Sequence, residues 1–318
     1  MSDAVTAHDL HKTYPGGVRA LAGLTLTVRA GEVFGLLGPN GAGKSSTVKI
    51  LTTLARPDSG TATVAGHDVL RHPDRVRREI GVVPQRSALD PMASGRDNLT
   101  LQARIFGIRG FRRRVDELLE RFGLTEAAGR PVRGWSGGMQ RRLDVVLALV
   151  HKPGVLFLDE PTTGLDPEGR AQLWTEIARL AADESMAILL TTHYLDEADR
   201  LAGRLAIVDG GRIVTEGTPA QLKGELRGDA VHLELHLAPD GPQARQAISH
   251  VAGLRDVALD GRTLSARADD GAAAVPAALA ALESAGIGVA TVTVARPSLD
   301  DVYLRHAGRR FSSPGVAA

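Results

Sequence analysis

The stretch that most constrains this chain is Gly38-Pro39-Asn40-Gly41-Ala42-Gly43-Lys44-Ser45-Ser46. It follows the apolar run Val33–Leu37 and opens a helical segment expected over 45–54, ending before Pro57. Its first eight residues fit the pattern G-x-x-x-x-G-K-[ST]. Glycines there let successive backbone N–H groups converge on phosphate oxygens without Cβ clashes, and the helix N-terminus adds a favourable dipole. A lysine at position 44 can reach β- and γ-phosphates, and the Ser45 hydroxyl is a ligand type suited to Mg²⁺.

Glycine is plentiful, at 36 of 318 residues, so loose glycine patterns arise by chance in this chain. Lys44 does not share that excuse, because five lysines stand against 33 arginines. The length suggests roughly two domains at ~150 residues each. A net charge of +1 gives no electrostatic case for a general nucleic-acid binder or a polybasic membrane-surface protein. No cysteine is present, which excludes disulfides, thiolate metal sites and cysteine nucleophiles. The first residues carry His8, Asp9, His11 and Lys12 where an export signal needs an apolar core. The stretch poorest in charge, 272–295, is too weakly apolar for a membrane span.

Along the chain, 21–28 and 61–65 alternate as half-buried strands do, whereas Val33–Leu37, 155–158, 186–191 and 205–208 are continuous apolar runs. Helical segments such as 171–182 separate them, which indicates a mostly parallel sheet covered on both faces. The middle, from about 97 to 150, is helical in period and reads as an insertion. Composition shifts near 217–228. Beyond it, strands expected at 231–237, 257–259, 263–266 and 287–294 and helices at 242–251 and 273–285 follow the order β-α-β-β-α-β of the ferredoxin-like unit. Pro276 is expected near the start of the second helix, and Asp260-Gly261-Arg262 marks a hairpin.

Asp159 and Glu160 end the 155–158 strand, at the carboxyl edge where α/β sheets bind ligands. Asp159 suits a Mg²⁺ shell there, and Glu160 suits a base or orienting group for an attacking water. His193 follows a third strand at the same edge. Ser136-Gly137-Gly138-Met139-Gln140-Arg141-Arg142 opens a further amphipathic helix, a second potential anion site. Two phosphate-binding helix ends separated by a helical insertion suggest a nucleotide shared between two subunits.

In this ordered set the chain resembles the nucleotide-binding subunit of ABC transporters over roughly residues 4–225. The resemblance implies an α/β phosphate-loop cassette: a mostly parallel sheet core, an antiparallel β subdomain and a helical subdomain at about 86–150. It implies that Tyr14 stacks on adenine and that Gly38 to Ser46 form the Walker A loop, with Lys44 catalytic. Gln85 becomes the glutamine that senses Mg²⁺, alongside Ser45 and Asp159 as metal ligands. Ser136, Gly137 and Gly138 become the signature that caps the γ-phosphate of the opposite subunit. Glu160 is then the catalytic glutamate, Asp166 the D-loop aspartate, and His193 the switch histidine. ATP and Mg²⁺ are the implied cofactors. Trp135 stands where the signature usually has leucine, a departure expected to touch packing or rate.

The stretch 297–304, Pro-Ser-Leu-Asp-Asp-Val-Tyr-Leu, is similar to the tail of ATPase subunits of the daunorubicin-resistance type; read by itself it is an amphipathic helix sealing a small domain. The expected division is a cassette at 1–225, an accessory α+β domain at 226–310 and a disordered tail at 311–318. The implied partners are a separate polytopic permease and a second copy of the chain, with attachment to the inner face of the cell membrane through the permease. The implied function is ATP hydrolysis that powers export. A soluble ABC ATPase acting on ribosomes or another non-transport partner is the alternative, disfavoured by a single phosphate loop and no sustained heptads.

Overall fold

The computed structural model describes residues 3–237 and 241–308; the tail expected at 311–318 lies outside them. The chain divides after Gly217 into two compact units.

The first unit is built on a six-stranded sheet. Its strands are β3 (Val33–Leu37), β6 (Ile80–Val83), β7 (Val155–Asp159), β8 (Ala187–Thr192), β9 (Arg204–Asp209) and β10 (Arg212–Gly217), in spatial order β10-β9-β3-β8-β7-β6. All neighbours are parallel except the β9–β10 hairpin. The central strands β3, β7 and β8 are buried along almost their whole length because both faces are covered. In β7, Val155 and Phe157 face one core and Leu156 and Leu158 the other.

The first core is closed by an antiparallel sheet of β1 (Asp3–Tyr14), β2 (Val18–Arg29), β4 (Ser59–Val64) and β5 (His67–Asp68), with α1 (Lys44–Leu51) between the sheets and α2 (Pro73–Glu79) beside them. The second core takes in α3 (Gly95–Ile105), α4 (Phe111–Arg121), α5 (Gly137–Leu149) and α6 (Pro167–Glu184). Helix α7 (Leu195–Leu201) follows β8. Helix α1 stops three residues short of the expected end: Thr53 turns to φ 64°, breaking the helical path.

The second unit begins with α8 (Pro219–Gly224) and continues β11 (Asp229–Leu235), α9 (Gly241–Ser249), β12 (Leu254–Asp260), β13 (Thr263–Ala268), α10 (Gly271–Ser284) and β14 (Val289–Ala295). The antiparallel order β12-β13-β11-β14 is the ferredoxin-like arrangement. The β12–β13 turn is two residues, Gly261 and Arg262, with Gly261 at φ 56°. Val231, Leu233 and Leu235 pack against Ala244, Ile248, Ala278 and Leu282 of the two helices. Helix α10 starts two residues earlier than expected, so Pro276 lies inside it rather than near its start. Helix α11 (Leu299–Ala307) is capped by Ser298, whose hydroxyl accepts from the Asp301 amide, and Asp301 accepts from the Ser298 amide in return. Its Leu299, Val302 and Tyr303 are buried. Asp301 faces His232 and Arg267 of the sheet, each at 3.4 Å.

Candidate nucleotide site

The parallel register sets the site. Leu37 pairs with Thr192 and Thr191 with Asp159, so the loops leaving β3, β8 and β7 emerge side by side at one edge. The loop after β3 turns through Gly41 and Gly43, at φ 81° and 113°, into α1. A Cβ on Gly38 would lie 2.4 Å from the Val208 carbonyl, and one on Gly43 2.5 Å from that of Ala20. Only glycine allows this loop to lie flat against the strand ends.

Tyr14, Val18 and Ala20 of the β1–β2 hairpin, residues 39–46, Gln85 and Glu160 line one cavity of about 370 Å³. Lys44 is buried there, donating to the carbonyls of Gly38 (2.6 Å) and Pro39 (3.1 Å), with Glu160 Oε1 4.0 Å from its Nζ. Burial pushes its ammonium below the ordinary lysine range, against the pull of Glu160 and Asp159. A partly desolvated cation of this kind gains most from an arriving polyanion.

Glu160 is the hub of the edge. Gln85 Nε2 donates to its Oε2 at 2.9 Å, and His193 Nδ1 lies 3.0 Å from its Oε1, off the line of a hydrogen bond. Its amide donates to both the carbonyl and the hydroxyl of Thr191, and its φ of 49° puts it in the left-handed region. A non-glycine residue there is held at a cost and is common at functional sites. Asp159 Oδ1 accepts from Thr191 Oγ1 at 2.6 Å and from Ser45 Oγ at 3.4 Å.

Ser136, Gly137, Gly138 and Asp166 lie elsewhere, lining a second cavity of about 280 Å³ with Arg142, Gly164, Leu165, Glu168, Gly169 and Gln172. The two cavities share no lining residue. Ser136 caps α5 by accepting from Met139 N, and Asp166 caps α6 by accepting from Gly169 N at 2.8 Å. Trp135 turns inward, 6% exposed, and its ring occupies the space left by Gly95, where a Cβ would meet it at 2.5 Å. The departure at 135 is thus matched by a glycine 40 residues away.

Comparison with known proteins decides the family. Residues 21–163 match the ABC transporter model, and 217–307 match the C-terminal domain of DrrA1-3-like ATP-binding proteins. The daunorubicin resistance ATP-binding protein DrrA3 of Streptomyces coeruleorubidus is 46% identical over 96% of each chain. The chain belongs to the ABC transporter ATP-binding proteins.

Other relatives include the daunorubicin/doxorubicin resistance protein DrrA of Streptomyces peucetius, 45% identical over 96% of this chain and 92% of its own. The Nod factor export ATP-binding protein I of Ralstonia nicotianae is 38% identical over 96% and 94%. Among solved structures, an ATP-binding subunit of an ABC transporter superposes with TM-score 0.63 at 28% identity, covering 70% of this chain and 92% of that one. A dimeric cassette in a post-hydrolysis state with ADP and Pi gives 0.62 at 26%, covering 67% and 98%. As a member of this family the protein is an ATP-binding ATPase.

Three residues around the cassette's edge escaped sequence reasoning. In the sequence Thr191 is only part of an apolar strand, although it holds both Asp159 and the Glu160 amide. Glu197 of α7 is fully buried and accepts from Thr162 (2.8 Å) and Trp174 (3.1 Å). Burial raises its carboxyl above the usual range despite those donors. Arg141 is buried on α5, and the readable signal for it was Asp144, a lone acid inside an apolar helical run.

Proposed function

We propose that this protein is the ATP-hydrolysing subunit of an exporter whose membrane-spanning part is a separate polypeptide. No described helix is long and apolar enough to cross a membrane, so the transport path must lie in a partner on this reading. The resistance and export functions named for the relatives support a drug or other lipophilic cargo. Attachment is to the inner face of the cell membrane through that partner. The unit that ends at Gly217 is the cassette, with about 86–150 as its helical subdomain, and the unit that begins at Thr218 is the accessory domain.

ATP is bound with its phosphates on the 38–46 loop and its adenine against Tyr14. The opposite copy supplies Ser136, Gly137, Gly138 and Asp166, giving a head-to-tail dimer with two nucleotides. The observation that carries this reading is the separation of the two cavities within one chain. The dimeric ADP and Pi cassette is a precedent in a similar protein.

The Ser45 hydroxyl, the Asp159 carboxylate and the Gln85 amide oxygen are hard oxygen donors, a set that fits Mg²⁺. No cluster of three His, Asp or Glu among the described residues could hold a metal alone; Ser45, Asp159 and Gln85 would hold the ion together with the nucleotide's phosphates. Bound there, it would neutralise charge on the β- and γ-phosphates. Lys44 stabilises the same charge from the protein side. Glu160 orients the attacking water and accepts its proton as the oxygen bonds to the γ-phosphorus and the bond to ADP breaks. Gln85 holds the Glu160 carboxylate by a hydrogen bond, and His193 stands beside it to contact the γ-phosphate or position the attacking water.

Replacing Glu160 by Gln tests this chemistry. ATP turnover should fall by roughly two orders of magnitude or more, as for loss of a general base, with ATP binding retained. Unchanged turnover would contradict it.

A further inference from the structure

Helix α5 carries a buried ion pair that none of the roles above uses. Arg141 and Asp144 are 7% and 4% exposed, with Nη1 3.7 Å from Oδ2. Burial works against both charges, lowering Arg141 and raising Asp144 from their ordinary values. Such a pair is weak as a source of stability, so its partners matter more than its presence.

Those partners are the two loops of the catalytic edge. Arg141 Nε donates to the Pro161 carbonyl at 2.7 Å, and Nη2 to the carbonyls of Asp159 (3.1 Å) and Glu160 (3.3 Å). Three consecutive carbonyls reach one guanidinium at the turn where Glu160 sits at φ 49°. Nη1 donates to the carbonyl of Pro84, next to Gln85, at 2.6 Å. Asp144 takes the same loop further along, accepting from Ser87 Oγ at 3.0 Å and from Ala88 N at 3.3 Å. The fork of an arginine can hold several carbonyls in fixed geometry, which a lysine cannot.

We propose that Arg141 and Asp144 are a positioning pair that locks the Gln85 loop and the Glu160 turn to the helix opened by Ser136. Engagement of Ser136-Gly137-Gly138 with a phosphate then moves all three as one body. The pair acts through Glu160 and Gln85 and touches no substrate, so the proposal rests on the assignment of those two residues.

The test is made on the full-length protein, reading ATP affinity, KM and kcat separately. Removing one charge alone leaves the other buried and unpaired. The informative variant is therefore Arg141→Met with Asp144→Leu, apolar residues in place of both. Arg141→Lys, which keeps the charge, is the second variant should the double variant fail to fold. The expected result is a cooperatively folding protein with parental ATP affinity and a kcat lowered on the order of 10- to 100-fold, the scale of a small misplacement of catalytic groups. A kcat within about twofold of the parent, or a loss explained by a smaller folded fraction, overturns the proposal. Glu160→Gln is run beside it. If that variant keeps its turnover, the assignment of Glu160 fails; if it is inactive while the pair variant is not, the positioning proposal alone fails.

Discussion

At the scale of residues, the edge of the sheet spends conformational freedom to hold charge. Glu160 is kept left-handed by bonds to Thr191 on one side and Arg141 on the other. Glu197 is a buried carboxylate tying Thr162, two residues past Glu160, to α6. Its raised folded value means that the folded protein binds more protons than the unfolded chain between the two values, so stability falls as pH rises through that window. Glu197→Gln cannot titrate and keeps an oxygen for Thr162 and Trp174. It should therefore be more stable than the parent at neutral pH, with the gap closing as pH falls toward about 4. Denaturant midpoints across that range check this; a gap that widens on acidification would refute it. Gly95→Ala drives a methyl into the Trp135 ring, and overpacking of this kind costs about 1–3 kcal/mol, readable as a lower urea midpoint. The mismatch at Trp135 was visible in the sequence, but the glycine that accommodates it was not, because nothing links positions 95 and 135 until the helices pack.

At the scale of elements, the parallel strands were legible because strands buried on both faces leave continuous apolar runs. Strand β1 was not read as one. Val5 and Ala7 face the core, but a bulge at Asp9, φ 51°, shifts the phase so that Leu10 takes the next buried place. The period of two is broken midway, and His8, Asp9, His11 and Lys12 give the stretch a polar look. The phosphate loop, Asp159 and Glu160 were legible because their chemistry fixes residue type and position at the strand ends, whereas Gln85 came only from the resemblance to the family. Arg141 stood in the motif that opens α5, but its role was not legible, since its burial depends on loops from distant parts of the chain. In the second unit the ferredoxin-like order was readable from alternation and the Gly261 turn. Helix α11 depends on its cap: Ser298→Ala removes the hydroxyl bonds to Asp301, at a cost of about 1 kcal/mol. Faster amide exchange across α11 is the expected sign, and unchanged exchange would speak against the capping box as its anchor.

At the scale of the whole molecule, the two compact units divide after Gly217, at the start of the composition shift over 217–228. A chain ended there keeps every residue of both cavities, so ATP affinity should match the full-length protein, while co-purification with a membrane partner should weaken. Retained co-purification would assign the second unit another role. The central claim is that one chain supplies the phosphate loop and another the signature of the same site. It is tested by mixing two variants, both carrying Glu160→Gln to stop turnover. One has Lys44→Ala, and the other has Gly137→Asp, which sets a carboxylate where phosphate should dock, at a position with open space for the side chain. Neither alone should pair on adding ATP. Together they retain one intact composite site, and ATP-dependent capture of one tagged variant by the other is the predicted result. No capture under conditions where the Glu160→Gln parent pairs, or pairing of the Lys44→Ala chain with itself, would contradict the shared site.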